Sequence, residues 1–361
     1  MNDLLSNIPV LANDILIVAC GQTGANIGYQ FNRLGYQVLY INTSSEDLKS
    51  IECPDYMKMH IAGMSGGSHN RNIIKEAMPR TNANLAKEIL TRFSTYTHIL
   101  LVGSLGGSSG SVLIPFLTLS LTSLSDKKVS TLCAVSGLNE SKKSLANTID
   151  AYNDLVKVSQ NISNMYFIDN ETIDMNNPRD IERSNVEVVK TMHSIFNLSS
   201  TESSLSTIDK QEVLFLLGTQ GCVSISNIEP KQTITCTRIK TNKNFINEIS
   251  EAEYLAYSCN ENDFDDNLIK EISGLYGDSQ EDTFKCFKND DSSNLLLAFG
   301  LPMPQQHILT LKEYLNDLNT NNKRKPIINQ QILFNENSIQ QQNNNTKIKV
   351  NSLDALFKTL Q

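Results

Sequence analysis

The sequence predicts an α/β protein in which a parallel β-sheet carries the ligand-binding region and a smaller α/β region follows. Three observations support this fold class. The first half of the 361 residues alternates short apolar runs with longer amphipathic stretches, as strand–helix repeats do. Glycine-rich turns follow two of the apolar runs, where parallel sheets bind their ligands. Apolar residues make up 40% of the chain and charged residues 19%, which is enough aliphatic material for a large core.

The first-half elements follow from the length and spacing of these runs. Strand-sized apolar runs predict five strands, at Asp14–Ala19, Gln37–Asn42, His98–Val102, Val129–Val135 and Asn164–Asp169. Amphipathic stretches between them predict helices at Ala25–Leu34, Arg71–Phe93, Val112–Leu124 and Lys142–Ser159. A longer pattern with apolar residues at helical spacing predicts a central helix over Ile181–Leu198.

The second half predicts shorter elements and a tail. Apolar runs indicate strands at Val213–Leu217, Gly221–Ile228, Thr233–Arg238 and Leu295–Gly300, with helices near Lys243–Cys259. Residues 319–349 are rich in Asn, Gln and Lys, which is typical of a flexible linker. Beyond them, four apolar residues at helical spacing predict a short helix that docks on a partner. The predicted domains are therefore 1–183, a central helix and loop at 184–207, a second domain at 208–318, and the tail 319–361.

Composition excludes several classes of protein. A net charge of −8 argues against direct binding of nucleic acid. The seven cysteines contain no CxxC pair, which indicates a reduced protein without structural disulfides or zinc. No apolar run reaches the ~18 residues of a membrane span, and the N-terminus lacks the basic start of a secretory signal. We therefore expect a cytoplasmic protein without membrane insertion.

Two glycine-rich loops have the features of phosphate cradles. Residues Cys20–Gly28 (CGQTGANIG) and Gly106–Ser111 (GGSSGS) each lie between a predicted strand and a predicted helix. Glycine lets the backbone approach phosphate closely, and a helix N-terminus supplies N–H donors. Neither loop contains GxxxxGK[ST], which excludes a Walker-type P-loop. A third small-residue loop, Gly63–His69, lies between them.

These loops resemble those of the tubulin/FtsZ superfamily. Residues 21–31, GQTGANIGYQF, are similar to the tubulin pattern GQxGxxIGxxF. Residues 106–115, GGSSGSVLIP, resemble the signature GGGTG[ST]GxxP, with Ser108 and Val112 in place of glycines. Ile41-Asn42-Thr43 resembles the INT segment of FtsZ, and Asp169-Asn170 resembles the DN pair of the TubZ group of plasmid and phage partitioning GTPases. The resemblance covers roughly residues 14–230.

The resemblance implies a GTPase that binds GTP or GDP with Mg²⁺, with a fold of a parallel-sheet nucleotide domain, a long central helix and a smaller α/β domain. The phosphate-binding residues that it implies are Gly21, Gln22, Gly24 and Asn26 for the α- and β-phosphates, Gly66 and Gly67 for the γ-phosphate, and Gly106, Gly107, Ser108, Ser109, Gly110 and Ser111 for the polyphosphate from the other side. Asn170 and Asn185 would contact guanine, whose edge needs both a donor and an acceptor, and Glu140 would contact the ribose. Asn170 is alternatively a turn residue, and Asn185 a helix N-cap after Ser184.

The candidate catalytic residues are two acids. Thr207–Glu212 (TIDKQE) resembles the superfamily's NxDxxD/E loop, which is inserted into the nucleotide site of the next subunit. Asp209 and Glu212 share one face of a starting helix, so both can address one water. The alternative is structural, with Ser206-x-x-Asp209 as a capping box. No cationic finger is evident, because Arg71 and Lys142 lie near the loops but are expected to face solvent.

The resemblance also implies partners. The protein would assemble with itself head to tail and meet a DNA-bound adaptor through residues 352–360, and the likeness to TubZ favours DNA segregation over an FtsZ-like role in division. Two other classes stay open. An NAD-dependent oxidoreductase with a Rossmann domain would use Gly21–Gly24 and an acid such as Glu46 or Asp47, and a structural homologue would not hydrolyse nucleotide at all.

Overall fold

One continuous β-sheet organises the protein in a computed structural model that describes residues 9–61, 63–67, 70–200, 206–231, 237–288 and 294–321. The chain divides into two compact units, Met1–Asn316 and Asp317–Gln361. Of the second unit the structure describes only residues 317–321, the last residues of the helix Gln305–Asn321. The predicted linker beyond that residue and the predicted adaptor-binding helix at 352–360 lie outside the described residues.

The first part of the sheet consists of seven strands, each parallel to its neighbours. They are β1 (Ile15–Cys20), β2 (Val38–Asn42), β3 (Lys58–His60), β4 (His98–Ser104), β5 (Lys128–Val135), β6 (Asn164–Asp169) and β7 (Gly221–Ile228). Their order in space is β3-β2-β1-β4-β5-β6-β7. Continuous aliphatic runs form the central strands because both faces of a parallel sheet are covered by helices. The parallel α/β fold and the five first-half strands are confirmed, whereas β3 is too short to leave a sequence pattern.

Helices cover this part of the sheet. They are α1 (Gly21–Arg33), α2 (Ser45–Lys49), α3 (Arg71–Arg92), α4 (Ser109–Leu124), α5 (Lys142–Val158) and α6 (Pro178–Phe196). Helix α6 begins three residues before the predicted start, because the Asn177 side chain accepts a hydrogen bond from Arg179 N and Pro178 fits the first turn. Asn185 lies inside α6, so its interpretation as a helix N-cap is wrong.

The order of strands reverses between β1 and β4. These strands pair in parallel from Ile15–His98 to Ala19–Val102, while β2 and β5 lie on opposite sides of them. The loops that follow β1 and β4 therefore leave the sheet side by side at its carboxyl edge. Such a reversal opens a crevice between the two loops, which is the usual position of a ligand in this class of sheet.

The remaining elements extend the same sheet beyond β7. They are α7 (Lys210–Leu217), β8 (Ile239–Thr241), β9 (Tyr254–Asn260), α8 (Asp266–Tyr276), β10 (Asp282–Lys288), β11 (Leu295–Leu301) and α9 (Gln305–Asn321). Strand β11 is antiparallel to both β7 and β9, and β9 is parallel to β10. Strand β8 pairs with β7 alone. The smaller α/β region is thus present as a mixed continuation of the parallel sheet.

Two second-half predictions are wrong. Val213–Leu217 belongs to helix α7, where Val213, Leu216 and Leu217 are buried at helical spacing. The region Lys243–Cys259 contains no helix, because the segment from Tyr254 onward is strand β9, buried between β10 and β11. The predicted strands at Gly221–Ile228 and Leu295–Gly300 are confirmed. Residues 232–236 of the predicted strand Thr233–Arg238 lie outside the described residues.

The cysteines are mostly core residues. Of the six cysteines in the described ranges, five are buried and Cys53 is half-buried, and none of the six is in a disulfide. Burial raises the pKa of the Cys133 thiol to about 12, so it stays protonated. The described ranges contain no group of three or more His, Cys, Asp or Glu side chains that could hold a metal ion. No helix among these residues is both long enough and apolar enough to cross a bilayer.

Candidate functional site

A cleft of about 370 Å³ lies at the carboxyl edge of the sheet, where the strand order reverses. It is enclosed by the loops that follow β1, β2 and β4 and by the segment before α3. Its lining includes nine of the predicted phosphate-binding and neighbouring loop positions, namely Gly21, Gln22, Thr23, Gly66, Gly67, Gly107, Ser108, Ser109 and Gly110. The sequence-predicted loops therefore meet around one space.

Glycine is required where the first and second loops touch. Gly21 has φ +72°, in the left-handed region, and a Cβ on it would lie 3.0 Å from Gly110 N. A Cβ on Gly110 would lie 2.8 Å from the carbonyl oxygen of Cys20. Side chains at either position would push the two loops apart. The glycines thus bring two backbones together at the floor of the cleft.

Gly24 sits deeper, against strand β4, and gives a prediction about stability. A Cβ on Gly24 would lie 2.4 Å from the carbonyl oxygen of Val102, so helix α1 packs directly on the strand. We expect Gly24→Ala to lower the free energy of unfolding by about 2 kcal/mol, because a backbone contact must open. Gly274→Ala in α8 is the control, since no atom lies within 4 Å of its Cβ position. Equal unfolding midpoints of the two variants in urea would contradict the prediction.

The cleft is electropositive through its backbone. Helices α1 and α4 both begin at it, and neither N-cap residue, Cys20 or Ser108, caps its helix with a side-chain hydrogen bond. First-turn N–H groups at these ends favour an anion. Among the described residues that line the cleft there is no Lys or Arg, and Asp47 is the carboxylate. One oxygen of Asp47 accepts a 3.0 Å hydrogen bond from Asn42 Nδ2.

The serine-rich loop is held from both sides. Ser109 Oγ and Thr43 Oγ1 are 2.7 Å apart, which links the loop to the end of β2. Ser108 replaces a signature glycine and fills the space beside Gly67, where an added Cβ would come within 2.5 Å of Ser108 Oγ. Val112 replaces the other glycine and is fully buried in α4, away from the cleft. Of the two departures, only Ser108 therefore borders the cleft.

Gly106 and Ser111 support the loop from behind. The carbonyl oxygen of Gly106 accepts a 3.0 Å hydrogen bond from Asn147 Nδ2. Ser111 is fully buried and donates a 2.6 Å hydrogen bond to the carbonyl oxygen of Gly107. Neither residue lines the cleft. Their side of the loop faces away from the predicted phosphate position, and they support the loop from behind.

The two cations near the loops do not face solvent as expected. The expectation for Arg71 is wrong, because it is 4% exposed, and Lys142 is half-buried.

A second cleft of about 500 Å³ adjoins the first through Gln22, which lines both. It lies between α1, the segment after α2 and the start of α6, and it contains the predicted residues Asn26 and Asn185. Gln22 Nε2 donates a 3.2 Å hydrogen bond to Asn26 Oδ1. The cleft has the size of a small-molecule pocket. Its lining also includes residues that the sequence motifs did not indicate, namely Tyr29, Gln30, Ser50, Ile51, Glu52, Pro178, Ile181 and Glu182.

Asn170 and Glu140 line neither cleft in the described structure. They bind each other, with Asn170 Nδ2 donating to Glu140 Oε1 at 3.3 Å. Glu140 Oε1 also accepts from Gly137 N at 3.1 Å, and Glu140 Oε2 accepts from Ser144 Oγ at 2.6 Å. The carboxylate therefore accepts three hydrogen bonds, from its own loop, from α5 and from the residue that follows β6. The predicted guanine and ribose contacts of this pair stay predictions.

The two candidate catalytic acids form a capping box at the start of α7. Asp209 Oδ1 accepts from Glu212 N at 2.8 Å, and Glu212 Oε2 accepts from Asp209 N at 2.7 Å. The alternative box that begins at Ser206 is wrong, because the Ser206 hydroxyl donates to the carbonyl oxygen of Lys285. Asp209 is exposed and Glu212 half-exposed. Each carboxylate therefore has a structural task and also remains accessible from outside.

Helix α7 lies at the sheet edge opposite the cleft of about 370 Å³. Lys210 Nζ is 2.8 Å from Asp14 Oδ2, just before β1, and His98 Nε2, at the first residue of β4, is 3.2 Å from the Leu214 carbonyl oxygen. Burial lowers the pKa of His98, which favours a neutral ring in this contact. A six-residue strand spans about 20 Å. Asp209 and Glu212 therefore cannot reach the cleft of their own molecule.

Sequence relatives are tubulin-like proteins. No family model matches the chain. A 217-residue segment is 27% identical to the tubulin-like protein CetZ of Pyrococcus furiosus, and a 216-residue segment is 25% identical to CetZ of Pyrococcus horikoshii. Each match covers 57% of this chain and 58% of the relative, so the chain matches little more than half the length of these curated proteins.

Solved structures extend the similarity over most of the chain. TubZ of Clostridium botulinum phage c-st, truncated at its C-terminal tail, has a TM-score of 0.73 at 20% identity and covers 86% of this chain and 100% of its own. A GTPγS-form protofilament of Bacillus thuringiensis TubZ has a TM-score of 0.70 at 16% identity, covering 86% and 93%. The GTPγS-bound protofilament of Haloferax volcanii CetZ2 has a TM-score of 0.65 at 14% identity, covering 85% and 99%. The chain therefore has the tubulin/FtsZ-like fold, with TubZ and CetZ proteins among its structural neighbours.

Proposed function

We propose that this protein is a GTPase that polymerises head to tail and completes its active site at the contact between two subunits. The observation that carries the proposal is the position of the two half-sites. A cleft of backbone N–H groups lies at one edge of the sheet, and the accessible acids Asp209 and Glu212 lie at the other. Structural neighbours of the chain were solved as nucleotide-bound protofilaments, which supports self-association of this kind.

GTP fits the two adjoining clefts. The phosphates would lie in the smaller cleft, between Gly21–Gln22, Gly66–Gly67 and Gly107–Gly110, where side chains are small and N–H donors are available. The guanosine would lie in the larger cleft, beside Asn26 and Asn185. Mg²⁺ would be held mainly by phosphate oxygens, with the Asp47 carboxylate at the cleft wall, and would neutralise charge on the phosphates.

The chain's own groups would act by position and electrostatics. The N–H groups at the starts of α1 and α4 would stabilise charge on the phosphates without reorganisation. Asp209 and Glu212 from a neighbouring subunit would orient the attacking water and accept its proton. Because these acids are about 20 Å from the cleft of their own subunit, a monomer would hold GTP and hydrolyse it slowly.

The dependence of hydrolysis on protein concentration tests this proposal. We expect phosphate release per subunit to be low at dilution and to rise steeply above a threshold concentration, because each active site needs two molecules. Light scattering in the same samples should rise at the same threshold. Phosphate release that stays strictly linear in protein concentration, with no threshold, would show that one subunit is sufficient and would overturn the proposal.

We also propose the cellular task. The likeness to phage and bacterial TubZ favours segregation of plasmid or phage DNA in the cytoplasm, with an adaptor bound at residues 352–360 and no direct contact with nucleic acid or membrane. The alternatives are an FtsZ-like division protein, a structural homologue that does not hydrolyse GTP, and an NAD-dependent oxidoreductase. Equilibrium binding of labelled GTP, ATP and NAD tests the oxidoreductase, which would bind NAD, whereas the other candidates would bind GTP alone. Turnover of GTP then excludes the structural homologue.

A further inference from the structure

A buried arginine lies directly behind the phosphate cleft. Arg71 is the first residue of α3, immediately after the segment that carries Gly66 and Gly67, and it is 4% exposed. A guanidinium in such a position is costly to desolvate unless every donor finds a partner. Its hydrogen-bond partners show what the residue holds in place.

The guanidinium joins two neighbouring helices to α3. Arg71 Nε donates to Ser111 Oγ at 3.0 Å, and Arg71 Nη2 donates to the carbonyl oxygen of Ser111 at 3.2 Å. The same Nη2 is 2.7 Å from Asp154 Oδ2 in α5. Lys75 and Lys157 also pair with Asp154, and these three cations hold the pKa of its carboxyl below the usual value, against the effect of burial. Asp154 therefore stays charged and holds the arginine in place.

Ser111 connects Arg71 to the backbone of the Gly106–Ser111 loop. Its hydroxyl donates to the carbonyl oxygen of Gly107 at 2.6 Å and lies 3.1 Å from that of Ser108. The Ser108 side chain lies beside Gly67, since a Cβ added to Gly67 would come within 2.5 Å of Ser108 Oγ. A chain of polar contacts therefore runs from Asp154 through Arg71 and Ser111 to the Gly107–Ser108 turn. That turn meets the segment from which α3 starts.

We propose that Arg71 is a positioning residue that fixes the Gly106–Ser111 loop against the Gly66–Gly67 segment, so that the pair of loops is pre-formed for a terminal phosphate. Its donors point to Ser111 and Asp154, so it acts through the loop and does not contact the nucleotide. The selectivity for a terminal phosphate rests on the proposed function, which places the γ-phosphate between these loops. Pre-formation lowers the cost of ordering the loops on binding.

Arg71→Lys is the test, because lysine keeps the buried charge for Asp154 and loses the forked contact with Ser111. In the nucleotide-free full-length protein, we expect backbone amides of residues 106–111 to exchange with deuterium about tenfold faster. We expect affinity for GTPγS to fall about tenfold and affinity for GDP to change less than twofold. Ser111→Ala should give the same pattern, and the double variant should add little to either single change.

Two control variants separate this role from general destabilisation. Arg92→Lys changes an arginine at the other end of α3, where it pairs with Glu88 at the surface. Lys157→Ala removes an exposed ion pair of Asp154 without touching Ser111. Neither control should alter exchange at 106–111 or nucleotide affinity.

The outcomes distinguish this inference from the proposed function. Unchanged exchange at 106–111 in Arg71→Lys overturns the inference, whatever nucleotide the protein binds. An equal loss of GTPγS and GDP affinity overturns its link to the terminal phosphate. Failure of the unaltered protein to bind GTPγS contradicts the proposed function instead, and the exchange measurement still decides whether Arg71 fixes the loop.

Discussion

The double variant Asp209→Asn/Glu212→Gln is expected to hydrolyse GTP at least about 100-fold more slowly than the unaltered protein, while binding GTP equally well. Removing two carboxylates that orient and deprotonate water eliminates a contribution of about 10²–10⁴ in rate. The acids lie at the sheet edge opposite the cleft, so nucleotide affinity should not respond. Phosphate release above the assembly threshold and equilibrium binding of GTPγS measure the two quantities.

Amide replacements are chosen because both acids also cap α7. Asn and Gln retain the oxygens that accept from Glu212 N and Asp209 N, so the capping box can persist. Alanine at these positions would remove the box as well and cost about 1 kcal/mol of stability. Urea unfolding midpoints of the amide variant should match those of the unaltered protein. Hydrolysis that persists at the parental rate would remove Asp209 and Glu212 from the mechanism.

A mixing experiment asks whether the acids act on a neighbour. Subunits with the amide replacements retain an intact cleft, and subunits with a blocked cleft retain intact acids. If the active site forms between subunits, a mixture of two inactive proteins should recover hydrolysis at each contact that pairs an intact cleft with intact acids. A mixture that stays inactive while it co-assembles would contradict the shared site.

The second large effect is expected from a carboxylate introduced into the cleft. Gly107→Asp should reduce affinity for GTP by roughly 100-fold, because a negative charge about 5 Å from the phosphates contributes about 3 kcal/mol at an effective dielectric constant of 20. No described lysine or arginine lines the cleft to offset it. Gly107 tolerates a side chain, since no atom lies within 4 Å of its Cβ position and its φ is not positive. Titration with a fluorescent GTP analogue measures the loss.

Gly107→Asn is the matched control, because it has the same shape without the charge. It should bind GTP within a few-fold of the unaltered protein, and both variants should unfold at the same urea concentration. Equal affinities for the Asp and Asn variants would mean that no phosphate lies near Gly107. If both variants lost GTP affinity to the same extent, the cause would be steric, which would also contradict the electrostatic explanation.

The fold was predictable where length and flanking residues separate strand from helix. Strands β1 and β4 are short aliphatic runs followed by glycine, which left little ambiguity. The C-terminal part of α7 is wrongly predicted as a strand because Val213–Leu217 is uniformly apolar, so its helical spacing is invisible without knowing which residues are buried. Strand β9 was missed because its Ala, Ser and Cys residues carry no strong strand preference, and only its neighbours β10 and β11 make it a strand.

The glycines that line the cleft could be predicted from the sequence, whereas several of its other lining residues could not. Close backbone approach restricts Gly21 and Gly110 to one residue type, which marks the sequence. Ser44 and Ser104 also line the cleft, but serine is common in loops and at strand ends, so nothing in the local sequence distinguishes them. The burial of Arg71 could not be inferred because its counter-charge, Asp154, is 83 residues away in the chain. Long-range pairing of this kind depends on the completed sheet.

The placement of the cleft and of α7 at opposite edges of one sheet gives a row of copies a direction. At one end of the row, the last molecule has a cleft that no neighbour's Asp209 and Glu212 can reach. At the other end, Asp209 and Glu212 of the last molecule face solvent. This asymmetry holds for a row of any length. In a polymer of the proposed kind, the tip with the open cleft keeps its triphosphate while interior molecules convert theirs. Addition and loss at the two tips would then proceed at different rates, so that the row could advance at one tip while it shortens at the other.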